Sequence, residues 1–290
     1  MIHLILQGGL GNQMFEYATA YALARSKNTS LVLDMSFFDV YGRKSWCRPY
    51  ELSIFGLHEN ALFEHKHSLY VRILPKIARI CRQHEWKRFG SIVFAMHELG
   101  DAGTSSSNLL YGYFANYHTF SSYRDELLKQ FTFVKPLDEK NKQIYLQMQS
   151  TNSVAVHIRR GDYLDSVNRK TFYLPPVDWY RNAIMRMKEH VTSPTFYFFS
   201  DDLQWVQEQF SDMKDVVFVE GNEGCNSYRD MQLIAACKHA IIANSTFSWW
   251  GAWLNTNPEK VIIAPSRYYL DEQANTRYRQ AMIQPDWIQL

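Results

Sequence analysis

The sequence predicts an α/β protein made of two doubly wound units on parallel sheets. Three observations carry that prediction. The chain has 290 residues, enough for two ordinary domains. It opens with a strand, a glycine-rich turn, a helix and a second strand. Its second half alternates short apolar strands with helices throughout.

The first element is the apolar run Ile2–Leu6, which is of strand length. It ends at Gly8-Gly9-Leu10-Gly11, which a continuing strand or helix would tolerate poorly. From Asn12 to Arg25, Met14, Phe15, Ala18, Tyr21, Ala22 and Ala24 recur at helical spacing. Leu31–Asp34 reads as the next strand and completes a βαβ module.

Residues 36–108 are less regular. Tyr70, Ile73, Leu74, Ile77, Ile80 and Cys81 keep a helical period, with Arg72, Lys76, Arg79 and Arg82 between them. This basic region, Arg72–Arg88, is either a solvated face or a patch that docks on an anionic membrane. Gly100–Asn108 reads as a loop, Leu109–Phe114 as a strand and Tyr123–Phe131 as a helix.

The second half is clearer. Strands are expected at Val154–Ile158, Thr195–Phe199, Val216–Val219, Ala240–Ala243 and Val261–Ala264. Between them come helices at Val177–His190, Leu203–Phe210, Tyr228–Cys237 and Thr246–Leu254. The polar stretch between Phe133 and Ser153 is the natural join, giving an N-terminal unit 1–148 and a C-terminal unit 149–290.

Composition narrows the function. At 46% hydrophobic and 21% charged, the chain is globular rather than disordered. Its 31 basic and 29 acidic residues provide no broad positive field, which argues against nucleic-acid binding. Cys47, Cys81, Cys225 and Cys237 are scattered, and the histidines are not spaced to complete a zinc site, so reduced thiols and no metal are expected. The start shows no signal-peptide pattern, and no apolar run approaches the ~20 residues that span a bilayer. The expected location is the cytoplasm.

In open α/β sheets, ligands sit beyond the carboxyl ends of the strands, so the residues there are the candidates. After the strand that contains His157 comes Arg159-Arg160-Gly161-Asp162. Adjacent arginines repel unless an anion or carboxylate lies between them. Their planar forks suit phosphate oxygens, or a salt bridge to Asp162 or Asp165. After the next strand comes Ser200-Asp201-Asp202, which can bond a base or ribose, cap a helix, or hold a metal-bound diphosphate. The two nearby arginines make a divalent cation less necessary there.

Asn244-Ser245-Thr246-Phe247-Ser248 opens the helix of Trp249, Trp250 and Trp253. Hydroxyls at a helix N-terminus cap it, and the free N–H groups form an anion site. The tryptophans read as scaffold. The loop Gly8–Met14 partly matches a dinucleotide fingerprint, with Asp34 as its acid, but Met14 stands where a third glycine belongs. The other reading is a tight turn whose Gly11, Asn12 and Gln13 face an opposing domain across a cleft.

Together, Gly8–Tyr17 (GGLGNQMFEY), Val156–Tyr163 (VHIRRGDY), Phe198–Asp202 (FFSDD) and Ile242–Leu254 (IANSTFSWWGAWL) resemble the bacterial α-1,2-fucosyltransferases of glycosyltransferase family 11. The resemblance implies a GT-B fold, two Rossmann-like domains across a cleft. It also implies a galactoside 2-α-L-fucosyltransferase working in O-antigen or other glycan biosynthesis. The donor would be GDP-β-L-fucose and the acceptor a galactose-terminated oligosaccharide or lipid-linked glycan. Transfer would invert the anomeric centre with no metal or other cofactor. Arg159 would bind the diphosphate, with Arg160 and His157 beside it. Ser200, Asp201, Asp202 and the Asn244–Ser248 turn would hold GDP, and the Gly9–Gln13 loop would face the donor from the acceptor-side domain.

One departure concerns Thr171–Pro176, where relatives often carry a His-Gly pair; acceptor preference is therefore not carried over. For the base that takes the acceptor's proton, Asp162 and Glu16 are the candidates. The rival classes are a carbohydrate-binding module, for which paired arginines have no use, and an oxidoreductase, disfavoured by Met14.

Overall fold

The computed structural model describes residues 1–45, 47–57, 62–80, 86–89, 92–95 and 108–290. Of the sequence expectations, Cys81, Arg82 and the loop residues 100–107 lie outside these. The chain forms two compact units, Met1–Val134 and Lys135–Leu290.

The first unit opens with β1 (Ile2–Ile5), α1 (Leu10–Ser26) and β2 (Leu31–Asp34), the expected βαβ module. Helix α1 begins two residues earlier than the apolar period suggests, because the Gly9 carbonyl accepts the Asn12 and Gln13 N–H groups, both at 3.0 Å. There follow α2 (Ser36–Tyr41), β3 (Leu62–Glu64), α3 (Ser68–Ile80), β4 (Trp86–Phe89), β5 (Ile92–Ala95), β6 (Leu109–Tyr111) and α4 (Arg124–Gln130). The sheet order is β3-β2-β1-β6-β5-β4, parallel except between β4 and β5.

Two expectations change here. Strand β6 stops at Tyr111, short of Phe114, whose backbone turns left-handed at φ 49°. The basic region Arg72–Arg88 is not one helix, since α3 ends by Ile80 and Arg88 stands on β4. Moreover, α3 buries Val71 and Leu74 and leaves Leu69, Tyr70 and Ile73 exposed.

The second unit contains α5 (Glu139–Ser150), β7 (Asn152–Ile158), α6 (Val177–His190), β8 (Pro194–Ser200), α7 (Leu203–Gln209) and β9 (Val216–Phe218). It continues with α8 (Tyr228–Ala236), β10 (His239–Ile241), α9 (Thr246–Leu254), β11 (Ile262–Ala264), α10 (Glu272–Met282) and β12 (Ile288–Gln289). The chain divides before α5, not at 148/149, because side-chain bonds tie α5 to the C-terminal elements. Asn141 and Asn222 exchange amide hydrogen bonds, both at 2.9 Å, and Gln149 donates to the Ala236 carbonyl at 3.2 Å.

The second sheet runs β12-β11-β10-β7-β8-β9, all parallel. Alternation along β7 and β8 sends Val154, Val156, Ile158, Phe196 and Phe198 to a core shared with Tyr180, Ala183, Ile184 and Met187 of α6. Elsewhere α8 and α9 pack at Gly251, where an added Cβ would stand 2.5 Å from Ile234 Cγ2. Trp249, Trp250 and Trp253 are buried as scaffold, with Trp249 Nε1 donating to the Met282 carbonyl at 2.6 Å.

Candidate functional site

In the second sheet the chain winds outward from β7 through β8 to β9, then returns to the other side of β7 with β10, β11 and β12. The order reverses between β7 and β10, and a crevice for ligands forms at the carboxyl ends of such a pair. Arg159–Asp162 follow β7 and Asn244–Ser248 follow β10, with Ser200–Asp202 at the end of the neighbouring β8.

Arg159 is held by two carboxylates. Its Nη2 donates to Asp162 Oδ1 and its Nη1 lies against Asp201 Oδ2, each at 2.6 Å. Burial works against its charge, but Asp201 and Asp162 outweigh that and lift its pKa above the ordinary guanidinium value. Two of its five N–H groups serve these carboxylates, leaving three for another acceptor.

Arg160 turns the other way. Its Nε donates to Asp202 Oδ2 at 2.9 Å, and its guanidinium lies 3.5 Å from the Trp205 ring centroid. Its backbone N–H donates to Asp201 Oδ1 at 2.9 Å. Asp201 thus fixes the turn after β7 from two directions. A Cβ at Gly161 would stand 2.5 Å from Asp201 Oδ2, so only glycine fits beneath that carboxylate.

Both aspartates are therefore spent on the arginines. Asp202 occupies the N-cap position of α7, but its side chain makes no capping bond, contrary to the capping expectation. Ser200 Oγ accepts the Asp202 N–H at 3.0 Å and closes the turn.

His157 is buried in β7 and its Nδ1 has no hydrogen-bond partner among the described residues. Burial holds its pKa down to about 4, against the pull of Asp201 and with help from Arg159, so the ring is neutral. It sits 5.7 Å from the Phe247 ring, in the first turn of α9.

After β10, Ser245 caps α9 by accepting the Phe247 N–H at 3.3 Å, and Thr246 begins the helix. Asn244 and Ser248 both bond backbone carbonyls. Asn244 is buried and donates to the carbonyls of Tyr173 (2.5 Å) and Tyr268 (3.2 Å), while its Oδ1 has no partner among the described residues. Ser248 is buried too, and its hydroxyl points back to the Ala243 and Ser245 carbonyls, both at 3.4 Å.

Tyr163, Phe172 and Trp205 take structural roles that no strand or helix period announces. Tyr163 donates its hydroxyl to the Asn244 carbonyl at 2.7 Å, joining the turns after β7 and β10. Its ring stacks on Phe172 at 4.9 Å and 9°. The departing segment Thr171–Pro176 is thus braced against the arginine turn. The available signal was an aromatic directly after the motif's Asp162; for Trp205, the signal was an aromatic in the first turn after two aspartates.

In the first unit, Gly8 takes a φ of +70° and a Cβ there would meet Tyr113 at 2.8 Å, so the tight turn is real. Gln13, however, is buried and fully committed. Its Nε2 donates to the Gly8 and Pro49 carbonyls, each at 2.8 Å, and its Oε1 accepts the Glu51 N–H at 2.9 Å. Gly11 is buried and Asn12 half-buried.

Glu16 is buried as well. One oxygen accepts the Gln7 N–H at 2.9 Å, the other has no partner among the described residues, and burial pushes its pKa well up despite that bond. This enclosed setting favours a structural role over that of a base. Asp34 accepts N–H groups from Ser36 (2.8 Å) and Lys66 (3.2 Å), the bonding of a structural acid.

Against known proteins, residues 75–290 match the model of "Glycosyl transferase family 11". The chain is 32% identical to the O-antigen biosynthesis glycosyltransferase WbnK of Escherichia coli over 91% of its length and 93% of the relative's. It is also 32% identical to an α-1,2-colitosyltransferase of E. coli, over 93% of each. Similarity extends at 24% to galactoside α-(1,2)-fucosyltransferase 1 of Ateles belzebuth, over 97% of this chain and 72% of that one.

Among solved structures, the fucosyltransferase NodZ from Bradyrhizobium superposes with a TM-score of 0.51 at 15% identity, covering 86% of this chain and 91% of that one. POFUT1 in complex with GDP gives 0.50 at 10%, covering 91% and 98%. The fold class is the GT-B type expected from the sequence.

Proposed function

This chain belongs to glycosyltransferase family 11 and is an enzyme of that class; on that premise we propose that it transfers L-fucose from GDP-β-L-fucose to the 2-hydroxyl of a terminal galactose, inverting the anomeric centre. The observation that supports this most is Arg159, anchored by Asp162 and Asp201 at the switch point of the second sheet. The second unit would hold the nucleotide and the first would serve the acceptor.

Breaking the bond from fucose to diphosphate develops negative charge on the leaving oxygens and cationic character on the sugar. The remaining N–H groups of Arg159 and the N-terminus of α9 are preorganised donors for that charge, in the place a divalent ion takes in other transferases. Arg160, stacked on Trp205, holds the turn; Ser245 and Thr246 present the helix end. His157 and Asn244 contribute one unpartnered buried polar atom each, and buried polar atoms are normally satisfied, so a ligand or water is their natural partner.

Asp162 is half-exposed and bonded to Arg159. Its first role is to orient that guanidinium, and its second is to take the acceptor's proton. Asp162→Asn separates the two. Loss of the base flattens the acid limb of the kcat profile, whereas loss of orientation lowers kcat at every pH.

Melting curves with GDP, UDP and NAD, with and without EDTA, test the donor class. A ligand at 100 times its Kd adds about 2.7 kcal/mol. Stabilisation by NAD alone would overturn the proposal. Incubation with GDP-fucose or GDP-colitose and a panel of galactosides, followed by linkage analysis, tests the sugar. The 32% match to a colitosyltransferase makes colitose the alternative donor.

A specific surface favours peripheral membrane contact and hence a lipid-linked acceptor. Leu62, Phe63, Leu69, Tyr70 and Ile73 are each exposed within residues 62–76, a segment that also carries the exposed Lys66, Arg72 and Lys76. No helix among the described residues is long and apolar enough to cross a membrane. Co-sedimentation with anionic vesicles that is unchanged in a Leu69→Ser/Arg72→Ser/Ile73→Ser/Lys76→Ser variant would remove this reading.

A further inference from the structure

Away from the donor site, the first unit gathers four potential metal ligands that lie far apart in sequence. Asp34 and Glu64 are register partners at the ends of β2 and β3. His67 follows Glu64 by three residues, just before α3, and His3 stands on β1. His67 Nδ1 lies 2.6 Å from Asp34 Oδ2 and 3.5 Å from Glu64 Oε1, and His3 Nδ1 contacts Glu64 Oε1. The donor atoms of Asp34, Glu64 and His67 all lie within 4.8 Å of one another. Both carboxylates are buried, at 0% and 5% side-chain exposure.

We propose that His3, Asp34, Glu64 and His67 form a binding site for a zinc-class divalent cation. Two imidazoles and two carboxylates are a borderline donor set, which suits Zn²⁺, Co²⁺ or Ni²⁺ better than Mg²⁺. Metal–ligand bonds of about 2.0–2.2 Å place tetrahedral neighbours roughly 3.3 Å apart; His67 and Glu64 already stand near that spacing at 3.5 Å, and His67 and Asp34, at 2.6 Å, would part slightly to admit an ion.

The outer support is already built. Asp34 accepts the Ser36 and Lys66 N–H groups, and the His67 ring stacks on Tyr70 at 5.6 Å. Lys66, which pairs with Glu64 at 3.2 Å, is 74% exposed and swings clear without burying its charge. On binding, the ion displaces the protons shared within the two His–carboxylate pairs. The cation then clips β1, β2, β3 and the start of α3 into one piece.

The spacing of these residues hides the site. Glu64 and His67 form a local pair, but Asp34 and His3 join them only through the sheet, which is why the sequence gives no zinc pattern.

The test uses the full chain, stripped with EDTA and titrated with Zn²⁺ by calorimetry and with Co²⁺ by visible absorption. One equivalent binds, the melting temperature rises, and Co²⁺ gives the band of a four-coordinate N/O site. In a His3→Gln/His67→Gln variant, Kd weakens by more than about 100-fold, the upper end of what losing an outer-shell partner costs. The GDP-induced melting shift of the same variant reports the second unit and stays as in the parent, which separates this inference from the donor-site reading.

Binding of equal strength in the parent and the variant places the ion elsewhere and overturns the proposal. Failure of the parent to bind either metal, with only the acid melting altered in the variant, shows a proton-sharing cluster and overturns it as well.

Discussion

Replacing Arg159 by alanine separates the catalytic reading of the arginine turn from a purely structural one. A preorganised donor aimed at charge that develops in the transition state is worth about 10²–10³ in kcat, or roughly 2.7–4 kcal/mol. The structural loss is smaller. Asp162 is half-exposed and returns to solvent, while Asp201 keeps the Arg160 N–H as a partner. The cost to folding is therefore on the order of 1–2 kcal/mol. A domain stable by about 5–15 kcal/mol stays folded after that loss, so unfolding cannot imitate the fall in rate.

Arg159→Lys refines the comparison. It keeps the charge, but one ammonium cannot reach Asp162 and Asp201 through two separate nitrogens, so its rate falls between parent and alanine variant. Initial rates of transfer from GDP-fucose to a β-galactoside, with the GDP-induced melting shift measured alongside, decide the matter. A loss of about tenfold or less, with melting unchanged, refutes the reasoning.

Neighbouring residues give three further outcomes. Gly161→Ala drives a methyl against Asp201 Oδ2 and costs about 1–3 kcal/mol of strain; activity falls through a displaced Arg159, and kinetics with thermal melting check both. His157 is kept neutral down to about pH 4, whereas its unfolded ring takes a proton near 6.5, so stability falls as pH drops through that window. His157→Phe removes that dependence, read from denaturant midpoints at pH 7 and 4.5. Asp230 behaves oppositely. Burial pushes its carboxyl up to about 7, against the Asn222 bond and with help from Glu223. The folded state then holds a proton that the unfolded state releases near 3.8, and stability falls as pH rises toward 7. Asp230→Asn is more stable than the parent at pH 8, by roughly 2–4 kcal/mol, with little difference at pH 3.5.

Much of the second unit was legible because β7, β8 and β10 lead into polar turns and α6 carries a complete apolar period; the polar α10 and the two-residue β12 show no such signal and were not foreseen. Val177–His190 and Thr246–Leu254 appear at the expected bounds. The first unit was less so. The short strands β3 to β5 have three or four residues each, too few for a period to register. In α3 the exposed Tyr70 and Ile73 interrupt the rule that apolar residues face inward.

Within the candidate site, the strand-end rule located Arg159, Asp201 and Ser245, and a bridge from the arginines to Asp162 was among its readings, but the pairings with Asp201 and Asp202 were not. Whether Asp202 caps a helix or grips an arginine depends on where β7 lies beside β8. That Gln13 and Ser248 bond backbone groups of other residues is decided by rotamers, which periodicity does not report. The His3–His67 cluster was invisible for a related reason, since it exists only once three strands are in register.

The stacked pair of Tyr163 and Phe172 has a practical consequence for anyone who reshapes this enzyme. Residues 171–176 and the arginine turn share a single aromatic clasp, completed by the Tyr163 hydroxyl on the Asn244 carbonyl. Swapping that segment for a relative's version, in the hope of redirecting glycan preference, would also slacken the arginine turn itself. Such grafts need Tyr163, Phe172 and Tyr268 exchanged as a set.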